Sequence, residues 1–141
     1  MILNKEQIQE IIPHRDPFLL VDRITDIEPG KTAIGEKDVH SEEYYFKGHF
    51  PNEPIMPGVL IIESIAQTGA VTLLALPENK GKSVYFGGLK KAKFKRKVIP
   101  GDTLRFEVEL YKVKAKFGQG IGKAYVGDKL ACEAEFLFSY M

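Results

Sequence analysis

The 141 residues suit a single domain, 1–141, that is long enough to bury a hydrophobic core. Hydrophobic residues make up 44% of the chain and charged residues 28%, which is ordinary for a soluble globular protein. The net charge of +1 produces no overall field that would favour nucleic acid or an anionic membrane surface, so neither is expected as a partner.

The first third of the chain predicts one short helix and two strands. Asn4 is typical of an N-cap, and the apolar stripe after it predicts a helix over residues 4–12 that ends at Pro13. The apolar run 18–24 predicts a strand, and a second strand follows over 32–39.

The middle of the chain predicts one long helix. Proline is favoured at the first helical position, so the helix is expected to begin at Pro57 and to run to Leu76, about 30 Å at the standard rise. Apolar side chains point nearly all round it, so other elements must surround it. Glu63 and several hydroxyl and amide side chains lie within this stretch, which argues against a membrane span.

The second half of the chain predicts four strands, over 83–98, 103–113, 116–125 and 130–140. Apolar and charged residues alternate most clearly in 104–110, so one face of the sheet is expected to be buried. Turns between neighbouring strands make the sheet antiparallel. The sequence therefore predicts an α+β fold in which a curved antiparallel sheet wraps around one long central helix.

The cysteine content and the start of the chain bear on the compartment. Cys132 is the single cysteine, so no disulfide can form within the chain, which fits a reducing compartment such as the cytoplasm. We interpret it as a small core residue rather than a nucleophile. The chain turns polar after Leu3, so no secretory signal peptide is expected.

His49 and Glu63 have the residue types of an acid–base site. His49 lies on a loop stiffened by Pro51 and Pro54, and Glu63 is the one acid in the apolar helix. A neutral imidazole takes a proton and a buried carboxyl gives one, so together they suit an elimination or its reverse. The alternative is a loop histidine and a salt-bridged core acid. The sequence leaves open whether the two groups meet within one chain or between two.

Gly58 and Gln67 accompany this acid. The Gly58 N–H lies at the helix start with no side chain to shield it, so it can polarise a substrate carbonyl; the alternative is a glycine that only serves the turn. Gln67, one helical turn beyond Glu63, either fixes the carboxyl by a hydrogen bond or is a further polar residue of the same row. His14 and His40 are lone histidines near turns. Metal-ligand spacing is absent from the sequence, so no metal site is expected.

After the long helix, the segment that spans residues 90–97, KKAKFKRK, is strongly basic, and we call it the basic segment. If it forms a strand, most of its positive side chains project to one side, although Arg96 falls on the apolar side. Concentrated positive charge on a nearly neutral chain suggests a local acidic partner. A solvated face or a lysine-guarded sheet edge is the alternative. The docking residues for such a partner would be Lys91, Lys93, Lys95, Arg96 and Lys97.

Three segments resemble a known family. Residues 48–63, GHFPNEPIMPGVLIIE, closely resemble the signature of the β-hydroxyacyl-[acyl carrier protein] dehydratases of bacterial type II fatty-acid synthesis. Residues 13–23, PHRDPFLLVDR, and 98–102, VIPGD, resemble the same family in the same order. Asp16 and Lys97 depart from the family's pattern, which usually has an aromatic residue and a proline there.

The resemblance implies a hot-dog fold with the active site at a homodimer interface. His49 of one subunit would remove the C2 proton of a (3R)-3-hydroxyacyl thioester, and Glu63 of the other would protonate the departing C3 hydroxyl. The Gly58 N–H would hold the thioester carbonyl, and the products would be the trans-2-enoyl thioester and water. The family requires no cofactor and commonly forms a trimer of dimers.

The resemblance also suggests a partner protein and distinguishes this chain from related bifunctional enzymes. The acyl carrier protein is small and acidic, which makes it a candidate for the basic segment. Related bifunctional dehydratase/isomerases carry aspartate where this chain has Glu63, so the glutamate favours dehydration alone. The alternative function is a hot-dog acyl thioesterase, which would use the helix acid and water to cleave the thioester.

Overall fold

A six-stranded antiparallel sheet and one long helix form the body of the protein in a computed structural model, which describes residues 2–141. The strand order is β1-β2-β4-β5-β6-β3, so β1 and β3 are the two sheet edges. The helices are α1 (Lys5–Ile11) and α2 (Gly58–Leu74), and short 3₁₀ turns span Tyr44–Lys47 and Pro77–Asn79. The strands are β1 (Arg23–Glu28), β2 (Thr32–Asp38), β3 (Val84–Phe94), β4 (Thr103–Tyr111), β5 (Phe117–Val126) and β6 (Lys129–Tyr140).

The concave face of the sheet packs on α2, and this contact forms the main core. In β4 the alternate residues Leu104, Phe106 and Val108 are buried, as the sequence pattern predicts. They share a hydrophobic cluster with Ile65 of α2. A side chain at Gly122 of β5 would overlap Ile65, so the glycine lets the sheet approach the helix closely. The predicted α+β architecture is confirmed.

The long helix is shorter than predicted at both ends. Pro57 is its N-cap rather than its first helical residue, because its ψ of 132° is extended while its carbonyl accepts from the N–H groups of Leu60 and Ile61. The helix ends at Leu74, before Pro77. No helix of the described residues is long and apolar enough to cross a membrane. The predicted N-cap at Asn4 is confirmed, since its side chain accepts from the Gln7 N–H at 2.9 Å.

Two strand predictions are wrong by more than two residues in their limits, whereas the others agree to within two. The run 18–24 is mostly not a strand, because the Leu20 N–H donates to the Gln67 side chain instead of a neighbouring strand, and β1 begins only at Arg23. The strand predicted over 83–98 ends at Phe94, because the next two N–H groups both donate to the Ala131 carbonyl and the ladder stops.

Arg23 joins β1 to β2 through two acidic side chains. Its Nη1 and Nη2 atoms donate to both carboxylate oxygens of Asp38 at 2.9 and 2.8 Å, and its Nε donates to Glu36 at 2.7 Å. The hydrogen bonds from Arg23 lower the pKa of Asp38 from 3.8 to about 2, and the Thr103 hydroxyl donates to the same carboxylate. A depressed pKa means that the ionised Asp38 stabilises the folded state.

We expect this ion pair to shape the acid stability of the fold. Its contribution to the free energy of unfolding is complete above pH 3.8 and is lost as the pH falls towards about 2. Asp38→Asn should therefore flatten the pH dependence in this range, as measured by urea unfolding from about pH 5 to about pH 2. Glu28→Gln is the control, because Glu28 pairs with Lys31 on the exposed surface. An unchanged pH dependence in Asp38→Asn would contradict the expectation.

Candidate active site

His49 lies on the loop between the 3₁₀ turn Tyr44–Lys47 and α2. Its Nδ1 is 2.8 Å from the Ile55 carbonyl, and its ring stacks on Phe50 with centroids 4.2 Å apart. A carbonyl oxygen only accepts, so Nδ1 carries the proton and Nε2 presents a lone pair. The loop thus holds the imidazole in the tautomer that a general base needs.

An open groove surrounds His49 and the start of α2. Gly58 is the first residue of α2, so its N–H has no intrahelical partner and lies at the positive end of the helix dipole. The ring of Phe94 covers Gly58 so closely that a β-carbon there would overlap it. We call this the histidine groove; its lining includes His49, Gly58, Val59, Phe94, Lys95, Arg96 and Lys97.

Glu63 lies in the middle of α2 and faces a different cavity. Its side chain is 21% exposed, and its Oε2 accepts a hydrogen bond from Gln67 Nε2 at 2.9 Å. The cavity beside it has a volume of about 200 Å³, and most of its lining residues are apolar. We call it the acid cavity; its lining includes His14, Glu63, Gln67, Leu73, Phe86 and Phe136.

Gln67 is held in one orientation. The residue is buried, its Oε1 accepts from the Leu20 N–H at 2.8 Å, and its Nε2 also donates to the Phe18 carbonyl at 2.9 Å. These backbone partners fix which end of the amide is the donor. Gln67 can therefore only donate to Glu63, and it does so at Oε2.

His14, a lone histidine in the sequence, lies beside Glu63 in the structure. Its Nε2 lies 3.6 Å from Glu63 Oε2. The segment 13–23 contains it, so the family resemblance was the one signal that marked this region. Its neighbour in the structure is 49 positions away, and no local pattern connects residues over that separation.

The two groups expected to act in catalysis do not face one cavity within the chain. The histidine groove and the acid cavity share no lining residue. Between them lies an apolar surface that consists of the exposed Val59, Phe86 and Leu89 together with the buried Ile62, and we call it the apolar seam. Val59 also lines the histidine groove and Phe86 also lines the acid cavity, so the seam borders both.

The basic segment divides into two parts. Lys91 and Lys93 lie on β3, where Lys91 pairs with Glu133 at 3.2 Å. Lys95, Arg96 and Lys97 follow the strand and line the histidine groove. Arg96 is exposed, and since the ladder ends at Phe94 it does not occupy the buried sheet position that the strand pattern implied. Lys97 pairs with Glu53 at 2.8 Å.

Cys132 is buried in the main core, and burial raises the pKa of its thiol to about 11, so its interpretation as a core residue is confirmed. Among residues 2–141 there is no group of three His, Cys, Asp or Glu side chains arranged to hold a metal ion.

Comparison with known proteins gives one consistent result. A family model described as a FabA-like domain matches residues 12–135. A protein from Moorella thermoacetica named 3-hydroxyacyl-[acyl-carrier-protein] dehydratase FabZ is 54% identical over 132 residues, covering 94% of this chain and 92% of its own. Proteins of the same name from Clostridium botulinum and Chloroflexus aggregans are each 58% identical and cover 96% and 98% of this chain, and 94% and 96% of their own.

Solved structures agree on the fold. One subunit of the dehydratase heterocomplex ApeI:P from Xenorhabdus doucetiae superimposes with a TM-score of 0.80 at 14% identity, covering 94% of this chain and 89% of its own. The conserved protein PA5202 from Pseudomonas aeruginosa gives 0.70, also at 14% identity, covering 94% of this chain and 98% of its own. At this identity the likeness concerns the hot-dog fold alone, and it confirms that part of the sequence prediction.

Proposed function

The chain belongs to the family of FabA-like domains, and we propose that His49 of one protomer and Glu63 of another form its active site. The protein dehydrates (3R)-3-hydroxyacyl-[acyl carrier protein] to the trans-2-enoyl thioester in fatty-acid elongation. A single domain over 1–141 and a location in the cytoplasm are parts of the same proposal.

The apolar seam supports a homodimer. Val59 is 68% exposed and Leu89 51%, and β3 is an edge strand with unpaired backbone groups beside them. A second copy of the chain supplies both an apolar surface and a strand edge that match. Around a twofold axis, the histidine groove of one protomer would then meet the acid cavity of the other, because the seam borders both. Three such dimers in a hexamer extend the proposal.

In the proposed mechanism His49 is the base and Glu63 is the acid. His49 Nε2 takes the C2 proton, and the C–H electron pair forms the C2=C3 double bond. The C3–O bond breaks, and the departing hydroxyl leaves as water with the proton from Glu63. The Gly58 N–H donates to the thioester oxygen as charge develops there. His49 then gives a proton to water and Glu63 recovers one, so the enzyme is regenerated.

The acid cavity is the proposed site of the acyl tail. His14 and Gln67 both contact Glu63 in its lining, and most of its other lining residues are apolar, with Leu73 and Phe136 among them. Such a lining favours a hydrocarbon chain. For scale, a dry apolar cavity of about 150 Å³ holds benzene, so 200 Å³ accommodates a tail of several carbons.

Lys91, Lys93, Lys95, Arg96 and Lys97 are proposed to dock the acidic carrier protein. Lys95 and Arg96 line the histidine groove and have no ion-pair partner within residues 2–141, so their charge is available there. We expect Lys95→Glu with Arg96→Glu to raise KM several-fold for the carrier-protein thioester and to leave KM unchanged for the same acyl group on pantetheine. Lys31→Glu, in the turn between β1 and β2, is the control. An equal rise for both substrates would contradict docking.

The reaction is tested with purified protein and 3-hydroxyacyl carrier-protein thioesters of several lengths. We expect a reversible absorbance change from the enoyl thioester, without added cofactor. Release of free thiol without enoyl product would instead identify an acyl thioesterase. The series of substrates also measures the chain length that the acid cavity accepts.

A further inference from the structure

We propose that His14 is a positioning residue that holds Glu63 Oε2 and so directs the acidic proton to Oε1. The inference rests on the proposed function of Glu63 as the proton donor. Two nitrogen atoms converge on Oε2, namely Gln67 Nε2 at 2.9 Å and His14 Nε2 at 3.6 Å. No side-chain or backbone group of residues 2–141 is hydrogen-bonded to Oε1, which is the oxygen left to carry a proton to substrate.

The hydrogen bonds of Gln67 assign the first donor. Since its Oε1 is occupied by the Leu20 N–H, its NH₂ group faces Oε2. An N–H donor favours the oxygen of a carboxylic acid that does not bear the hydrogen. The proton of the acid therefore belongs on Oε1.

The surroundings of His14 assign the second donor. Its Nδ1 is buried and has no hydrogen-bond partner within residues 2–141. A buried N–H without a partner is rarer than a buried acceptor without one, so the proton belongs on Nε2 and Nδ1 carries the lone pair. Nε2–H then points its hydrogen at Glu63 rather than accepting one from it.

The position of His14 is set by the backbone around it. Arg15 Nη1 donates to the carbonyls of His14 and Ile12 at 2.7 and 2.9 Å, and Nη2 donates to the Gln9 carbonyl at 3.0 Å. These bonds tie the segment after Pro13 to the end of α1. The imidazole is thereby presented to α2 from a fixed loop.

The distance of 3.6 Å indicates when the contact acts. It exceeds an ordinary N–H···O hydrogen bond, so His14 binds the neutral acid weakly. As Glu63 loses its proton, negative charge on the carboxylate attracts the N–H, and a small side-chain rotation closes the gap. His14 thus stabilises the transition state more than the ground state, which raises kcat rather than lowering KM.

Three substitutions of His14 distinguish hydrogen-bond donation from Nε2 from the effects of the size and the charge of the side chain. His14→Gln places an amide nitrogen near the position of Nε2, His14→Asn places one near Nδ1, and His14→Leu removes both. We expect kcat to fall roughly 10- to 100-fold in His14→Leu and His14→Asn with little change in KM, while His14→Gln retains most of it. Thermal melting and size-exclusion chromatography check the fold, and if His14→Leu does not fold, the Asn and Gln variants still decide.

Two kinetic results for the His14 variants would contradict the positioning role. Wild-type kcat in His14→Asn would overturn the proposal, as would a loss in His14→Gln equal to that in His14→Asn, since a protonated imidazole would then be needed. In the Glu63→Gln background, His14→Asn should cause no further loss. If Glu63→Gln itself keeps full activity, the proposed function of Glu63 fails; if it is inactive while the His14 variants are active, only the positioning role fails.

Discussion

Replacing His49 by Ala, or Glu63 by Gln, should lower kcat by roughly 10²- to 10⁴-fold, the range contributed by a positioned base or acid. His49→Ala removes the lone pair that the Ile55 carbonyl orients, and Glu63→Gln keeps the shape of the side chain without its acidic proton. Initial rates with a crotonyl thioester, followed in the hydration direction, measure both. His40→Ala is the matched control, because His40 lines neither the histidine groove nor the acid cavity.

The same two variants test whether the site is shared between protomers. In a mixed dimer, one site would contain both replacements and the other would contain intact His49 and intact Glu63. With random exchange of equal amounts, half of the dimers are mixed, so about a quarter of the wild-type sites should return. The variants are mixed, allowed to exchange subunits and assayed against each alone. No recovery after verified exchange would contradict an intersubunit site.

The second large effect is expected at Gly58. Proline is favoured at the first helical position, and Pro57 already has the extended ψ of 132° that a following proline requires, so Gly58→Pro removes one N–H with little harm to α2. Loss of one donor to a developing oxyanion costs about 10²- to 10³-fold in kcat. Steady-state kinetics with one thioester substrate measure the loss.

Gly58→Ala is the matched control for this substitution. Both replacements push against the ring of Phe94, but only proline removes the N–H. The alanine variant should lose much less activity, and adding Phe94→Ala should relieve its steric part. Equal kcat in Gly58→Pro and Gly58→Ala would mean that the N–H does not act on the carbonyl.

Several elements were predictable because their signals are local. The alternation in β4 follows from the strand period, and the N-cap at Asn4 follows from one side chain and its helix. The predicted limits of a strand were wrong where a group far away in the chain replaced the expected backbone hydrogen-bond partner. Leu20 lies in an apolar run typical of a strand, yet its N–H bonds to a side chain 47 positions away.

The sequence by itself determined the fold class, the family resemblance and the residue types of an acid–base pair. These features could be predicted because they depend on the spacing of apolar residues and on a continuous motif, and both can be read along the sequence. Only the tertiary structure decided that His49 and Glu63 face separate cavities, that an apolar seam borders both, and that His14 approaches Glu63. Such contacts arise from the packing of elements far apart in the chain, and no local pattern of residues encodes their distances.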